Sequence, residues 1–266
     1  MKTRRILLAG MIALAFLTQF HSAAAQAKSS GASTVKASTT VPFVGCESDG
    51  QVGPLKAPSG QSKMVAVPVG IARQLAYYQA EEGFGVLAPQ GWHCFSMYGS
   101  NGDTLFVSPD RIDAKMLFSS DWHGFPGQVI QISESVGDTS GRFEVAKIIA
   151  RVFPAYKEFV HDVIAEGIEP AASFPSGPYP NDRLTYLSKR VVEFETPPNT
   201  EGLGTDSRLL KSAAPIQGVA ILFGEEPSLL QLSIRLSESN RDFGRIIVES
   251  VEREVAKSEG KHGTAN

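Results

Sequence analysis

The stretch FGVLAPQGWHCFSMYGSNGDTLFVS, running from Phe84 to Ser108, decides the class of fold. Three apolar or aromatic runs, Phe84 to Ala88, Trp92 to Tyr98 and Thr104 to Ser108, are separated by Pro89-Gln90-Gly91 and by Gly99-Ser100-Asn101-Gly102. Short β-prone runs punctuated by turn-forming residues predict a three-stranded antiparallel meander.

Outward from this meander, the pattern alternates between strands and a few helices. Upstream, Ile71, Leu75 and Tyr78 recur at helical spacing between Pro68 and Gly83, which predicts a helix of about four turns over 68–82. Downstream, a short strand is expected at Gln128 to Ile132, followed by an amphipathic helix from Arg142 to Glu166. Its apolar stripe passes through Pro154, which removes one helical hydrogen bond and crowds the preceding turn, so either a kink or two helices are expected there. Further strands are read at Leu184 to Glu195, Ile216 to Phe223 and Leu229 to Leu236, the last two joined by Gly224-Glu225-Glu226-Pro227, with a closing helix from Asp242 to Lys257. The class is therefore α+β, a mainly antiparallel sheet of about seven strands with three main helices packed on it.

The chain has 266 residues, 42% hydrophobic and 20% charged, with two cysteines and a net charge of -3. That composition excludes collagen, a disulfide-dense scaffold, a coiled coil and a mostly disordered chain. Met1-Lys2-Thr3-Arg4-Arg5, the apolar run Ile6 to Phe20 and Ala23-Ala24-Ala25 read as a signal peptide over 1–25. The arginine pair leaves general secretion and twin-arginine export both open. Removing this leader leaves 22 basic against 28 acidic residues, a net of -6 that disfavours nucleic acid as a partner. Residues 26–40, built from Ala, Ser, Thr, Gly and Lys, are expected to form a disordered tether, 41–257 one α+β domain, and the polar residues 258–266 a disordered tail. No membrane span is expected in the mature chain, and the location is read as periplasmic or secreted. In such an oxidising compartment Cys46 and Cys94 are expected to pair, the alternative being two buried thiols.

The segments Phe43-Val44-Gly45-Cys46, Ser48-Asp49-Gly50 and Gly85 to Cys94 resemble a family of exported bacterial proteins without an assigned activity. The likeness continues through Leu105 to Pro109, Ile168-Glu169-Pro170, Thr196-Pro197-Pro198 and Gly202-Leu203-Gly204. A Pro-x-Gly-Trp turn opening a meander, then a central helix, three strands and a closing helix, is also similar in layout to the PsbP-like α/β/α sandwich. Members of that group are mostly small non-catalytic binding or assembly proteins, and by analogy of layout alone the likeness implies a role of that kind.

No segment carries a catalytic motif. There is no Gly-x-Ser-x-Gly, and Gly99-Ser100-Asn101-Gly102 reads as a hairpin turn rather than a nucleophile elbow around Ser100. Neither His-Glu-x-x-His nor Cys-x-x-Cys occurs, so no metal is expected. Gly202-Leu203-Gly204 lacks the lysine and the third glycine of phosphate-binding loops, so no cofactor is expected. Glu81-Glu82 and Glu225-Glu226 read as solvated helix-end and hairpin residues, and His161 and His262 as surface groups.

Two histidines follow tryptophans. His93 is expected on the strand face opposite Trp92 and Cys94, where it reads as a structural histidine, under a helix if one covers that face, with a ligand-binding role as the alternative. Asp121, Trp122 and His123 form an aromatic, glycine-flanked loop that is a candidate ligand pocket. The long connections Pro170 to Arg183, which carries Tyr179, and Thr196 to Pro215 are where a binding rim is expected. The leading expectation is a monomeric, exported, non-catalytic module that binds an envelope protein, a glycan or a small molecule. The alternative is a small hydrolase, with or without a metal, using histidine and acid groups of the Asp121 to His123 loop.

Overall fold

The computed structural model describes residues 38–262, with side chains described to residue 260. The proposed leader and most of the proposed tether lie outside the described residues. In chain order the elements are β1 Thr39–Gly45, β2 Glu47–Gly50, β3 Ser62–Val65, α1 Val69–Ala72, β4 Leu75–Gln79, β5 Val86–Pro89, β6 His93–Gly99, β7 Gly102–Ser108, α2 Ala114–Leu117, β8 Val129–Ser135, α3 Arg142–Val152, α4 Lys157–Ala165, β9 Arg183–Tyr186, β10 Val191–Thr196, β11 Ile216–Phe223, β12 Ser228–Arg235 and α5 Arg241–His262.

The α+β class is as the sequence indicates, but among the described residues twelve strands, not about seven, form two sheets. One has the order β3-β1-β4-β5, the other β2-β6-β7-β8-β12-β11-β10-β9. Strict alternation along the central strands of the larger sheet feeds two cores. Leu105, Val107, Ile130, Ile132, Leu230, Leu232 and Ile234 join the smaller sheet and the Phe243, Ile247, Val251 and Val255 stripe of α5. Phe106, Val129, Ala220 and Leu222 pack on the other side with α3 and α4.

Three local readings give way to tertiary pairing. The expected helix over 68–82 is one turn, α1, followed by strand β4, in which Leu75, Ala76, Tyr77 and Tyr78 are all buried. The spacing of Ile71, Leu75 and Tyr78 mimics a helix, but apolar Ala76 and Tyr77 between them suit a strand covered on both faces. The expected meander is also divided. Strand β5 pairs with β4 in the smaller sheet, and β6, β7 and β8 form the meander of the larger one. Pro89-Gln90-Gly91 is therefore a corner between sheets. It is pinned by Tyr78, whose hydroxyl donates to Pro89 O at 2.8 Å and accepts from the Trp92 N–H at 3.1 Å. The run Leu184 to Glu195 is a hairpin, β9 and β10, with Leu187 N–H donating to Val191 O at 3.0 Å.

Other expectations hold. The stripe through Pro154 is two helices, with the proline starting a short 3-10 turn between α3 and α4. The turn Ser100-Asn101 closes the β6–β7 hairpin, with Gly102 at φ 135°, a conformation that favours glycine. At the ends, order extends beyond the sequence-based boundaries. Thr39 and Thr40 already pair with Val65 and Met64 in the antiparallel β1–β3 ladder. Helix α5 continues through His262, and Glu259 forms an ion pair with Arg190 at 3.4 Å. Cys46 and Cys94 form a disulfide. It sits where the chain leaves β1 of the smaller sheet for β2 of the larger, so it joins that crossover to β6.

Candidate functional site

On the side of the larger sheet that faces α3, polar residues interrupt the apolar layer. Because Leu230, Leu232 and Ile234 enter the opposite core, β12 turns Leu229, Gln231, Ser233 and Arg235 to this side. By the same alternation β8 presents Gln131, Ser133 and Ser135. The ladder sets Gln131 beside Ser233 and Ser133 beside Gln231. Thr104 of β7 stands on the other flank of Ser133. A polar stripe thus crosses the centre of the sheet, with Gln131 and Gln231 each only 6% exposed.

Buried polar groups need partners, and here the partners are loops. Gln131 Oε1 accepts from the Arg208 backbone N–H at 2.8 Å, and Gln231 Nε2 donates to Leu203 O at 3.2 Å. Arg235, 2% exposed, donates from Nη1 to Phe125 O at 3.0 Å and to Gly127 O at 3.3 Å, and from Nη2 to Leu210 O. The two tethered loops also bond to each other, Phe125 N–H to Arg208 O at 2.7 Å and Leu210 N–H to Phe125 O at 2.9 Å. The stripe therefore fixes where the 203–210 segment lies across the sheet.

Beside that segment a cleft of about 460 Å³ opens over the stripe. Its floor includes Thr104, Gln131, Ser133 and Gln231, and its walls include Glu144 from the first turn of α3, Asp206 and Arg208. This size is in the range of small-molecule sites. The Arg208 guanidinium lies 5.7 Å from the Trp122 ring centroid, and among the described residues it has no hydrogen bond or ion pair. Trp122 in turn meets Phe106 and Phe125 edge-on, at 6.0 and 5.4 Å between ring centroids.

Asp206 is held differently. The Tyr179 hydroxyl donates to its Oδ1 at 2.6 Å and Oδ2 at 2.7 Å, while the Arg151 guanidinium lies 4.1 Å from the Tyr179 ring. Partial burial against the cleft wall pushes the Asp206 carboxyl up, and the Tyr179 hydrogen bond opposes that shift. Burial likewise pushes Glu144 up, against the attraction of Lys147 at 3.9 Å. Burial, and then the bonded Asp206, push the Tyr179 hydroxyl above its ordinary value, so it stays a proton donor.

Of the residues singled out in the sequence, Trp122 and Tyr179 flank this cleft, each through one contact with a wall residue. Asp121 and His123 are exposed and make no side-chain hydrogen bond or ion pair among the described residues. His93 is exposed on β6 opposite Ser108, not covered by a helix, because α3 packs further along the sheet, over β8 and β12, with α4 against α3. No group of three or more His, Cys, Asp or Glu side chains that could hold a metal ion occurs among the described residues. The residues the sequence reading missed are Gln131, Gln231, Glu144, Asp206 and Arg208. The only available signal was polar alternation in Gln131-Ile132-Ser133 and Gln231-Leu232-Ser233, which reads from sequence as a solvent face.

Both long connections nevertheless converge here. Residues 203–210 supply the wall, and Tyr179 from the Pro170 to Arg183 connection braces it. No protein-family model, no curated protein and no solved structure matches the chain.

Proposed function

We propose that this protein is an exported, non-catalytic binding module whose ligand, a small polar molecule, occupies the cleft over Gln131 and Gln231. One observation carries the reading: hydrogen-bonding capacity faces a cavity of about 460 Å³ without protein partners. Among the described residues no donor reaches Gln231 Oε1, the Gln131 Nε2 has only a 3.5 Å contact with Ser133 Oγ, and the Arg208 guanidinium is unpaired. The two glutamine amides, mostly desolvated, gain most when a ligand completes their bonds, and the exposed Arg208 adds a charge at the rim.

A binding role fits the chemistry of the hydroxyls present. Ser133 Oγ is directed at Gln231 O and the Gln131 amide, neither of which is a base that could activate a nucleophile. Export is supported by the Cys46–Cys94 disulfide, and no helix among the described residues is long and apolar enough to cross a membrane.

The test is calorimetric titration of the protein with small polar molecules, covering sugars, amino acids, dipeptides and carboxylic acids, alongside the Gln231→Ala variant. Binding by wild type that the variant weakens at least about tenfold, while the variant keeps a cooperative thermal transition, supports the cleft as the site. Binding that Gln231→Ala leaves untouched would move the site elsewhere.

A further inference from the structure

Charges of both signs border the cleft. Arg208 stands on one part of the 203–210 wall, supported by Trp122 and by the anchored backbone N–H at Gln131. Glu144 and Asp206 supply the negative charge. Among the described residues no ion pair joins Arg208 to either carboxylate, although all three line the same cavity. The acidic groups are only partly balanced, Glu144 by Lys147 at 3.9 Å and by the attraction of Arg208, and Asp206 by the attraction of Arg151 and the hydrogen bond from Tyr179. The floor of the same cavity carries two carboxamides and two hydroxyls, which match the donor and acceptor pattern of a peptide bond. Gln231 is 6% exposed and lines the cavity, and no donor reaches its Oε1 among the described residues, so the floor as well as the walls can take up an occupant.

On the reading that this cleft is a ligand site, we propose that its ligand is a zwitterion of amino-acid or dipeptide size, its carboxylate on Arg208 and its ammonium between Glu144 and Asp206. A guanidinium stacked on an aromatic ring and free of internal ion pairs presents a planar donor fork suited to a carboxylate. A neutral sugar would satisfy the floor but leave both signs of wall charge unpaired. A purely anionic ligand would meet Glu144 and Asp206, and a purely cationic one would leave Arg208 without a partner.

The experiment is calorimetric titration with unblocked dipeptides spanning small, apolar, acidic and basic side chains, each repeated as its N-acetylated and its C-amidated form, with maltose as a neutral polar probe. At least one unblocked dipeptide should bind, and blocking either end should weaken it at least about tenfold, the loss of one charge-assisted contact. In Arg208→Ala the penalty for C-amidation should vanish while that for N-acetylation remains. In the Glu144→Gln, Asp206→Asn double variant the pattern should reverse. Arg208→Ala should melt with wild type, since its side chain is exposed, and the double variant, which weakens the Tyr179 bond to Asp206, should melt slightly lower with its cooperative transition kept. Equal affinity for blocked and unblocked peptides, or binding of maltose with no dipeptide bound, would overturn the zwitterion assignment while leaving the cleft as a binding site. No binding of any probe to wild type would overturn both.

Discussion

The Tyr179 hydroxyl donates to both carboxylate oxygens of Asp206, and beside the cleft this pair, together with Asp182 accepting from the Leu203 N–H at 2.7 Å, clasps the two longest connections together. Tyr179 and Asp206 are 27 positions apart and lie on segments without a shared strand or helix.

Removing the clasp with Tyr179→Phe should cost about 1 kcal/mol of stability, the ordinary net worth of a hydrogen bond to a charged group at a partly exposed site. Its larger effect should be local. Amide exchange should quicken in the 170–182 connection while the β8 and β12 ladder stays protected, as hydrogen-exchange mass spectrometry would report. Unchanged exchange in that connection would mean that the loop is held by other contacts.

The disulfide closes a loop between residues separated by 48 positions. On the chain-entropy model a loop of this size restricts the unfolded chain by roughly 4 kcal/mol. Urea unfolding of the Cys46→Ser, Cys94→Ser double variant should therefore show a much lower midpoint than the oxidised protein, and dithiothreitol should lower the wild-type midpoint similarly. A midpoint within error of the oxidised protein would contradict this.

Arg235 is a buried cation bonded to three backbone carbonyls, and desolvation holds its guanidinium below its ordinary value. Arg235→Met keeps most of the volume but leaves the carbonyls of Phe125, Gly127 and Leu210 without that donor. A loss of about 3 kcal/mol is expected by chemical denaturation, with the 203–210 wall disordered first. A neutral or stabilised variant would show that the loops find other donors, as some replaced buried charges allow.

Glu252 on α5 is pushed up to about 7 by burial, by Glu193 on β10 and by Glu249, against the attraction of Arg253. The ordinary value is 4.5, so between pH 4.5 and about 7 the unfolded chain gives up this proton while the native one keeps it. Stability should fall as pH rises through that window and level off above it. Glu252→Gln should flatten the decline and stabilise the protein at pH 8, by on the order of 1 kcal/mol after solvent screening, with little difference at pH 4. Urea titrations at the two pH values measure this, and an equal effect at both would rule out the titration of Glu252 as the cause.

Strand runs, turn residues and Pro154 were legible because each acts within a few positions of chain. Turn chemistry at Ser100-Asn101 and Gly224 to Pro227 closes hairpins whichever sheet they enter. The same logic failed at Leu75 to Tyr78, where a helical spacing of apolar residues concealed a strand buried on both faces. It also failed at Pro89 to Gly91, where the turn residues were right but the partner of β5 was not. Tryptophan and tyrosine near the cleft were noticeable by type, whereas the glutamines beneath it looked like one polar face of two ordinary strands.

The amino-acid order by itself determined the α+β class, the break at Pro154, the hairpins and the two loops worth searching for a rim. The tertiary structure alone decided that β5 belongs to a second sheet and that Gln131, Glu144, Asp206, Arg208 and Gln231 border one cavity. Periodicity and turn geometry are local properties, but those five residues meet through strand register and through loops crossing the sheet. Which polar alternation faces water and which is roofed depends on what packs over it, and no single stretch of sequence carries that information.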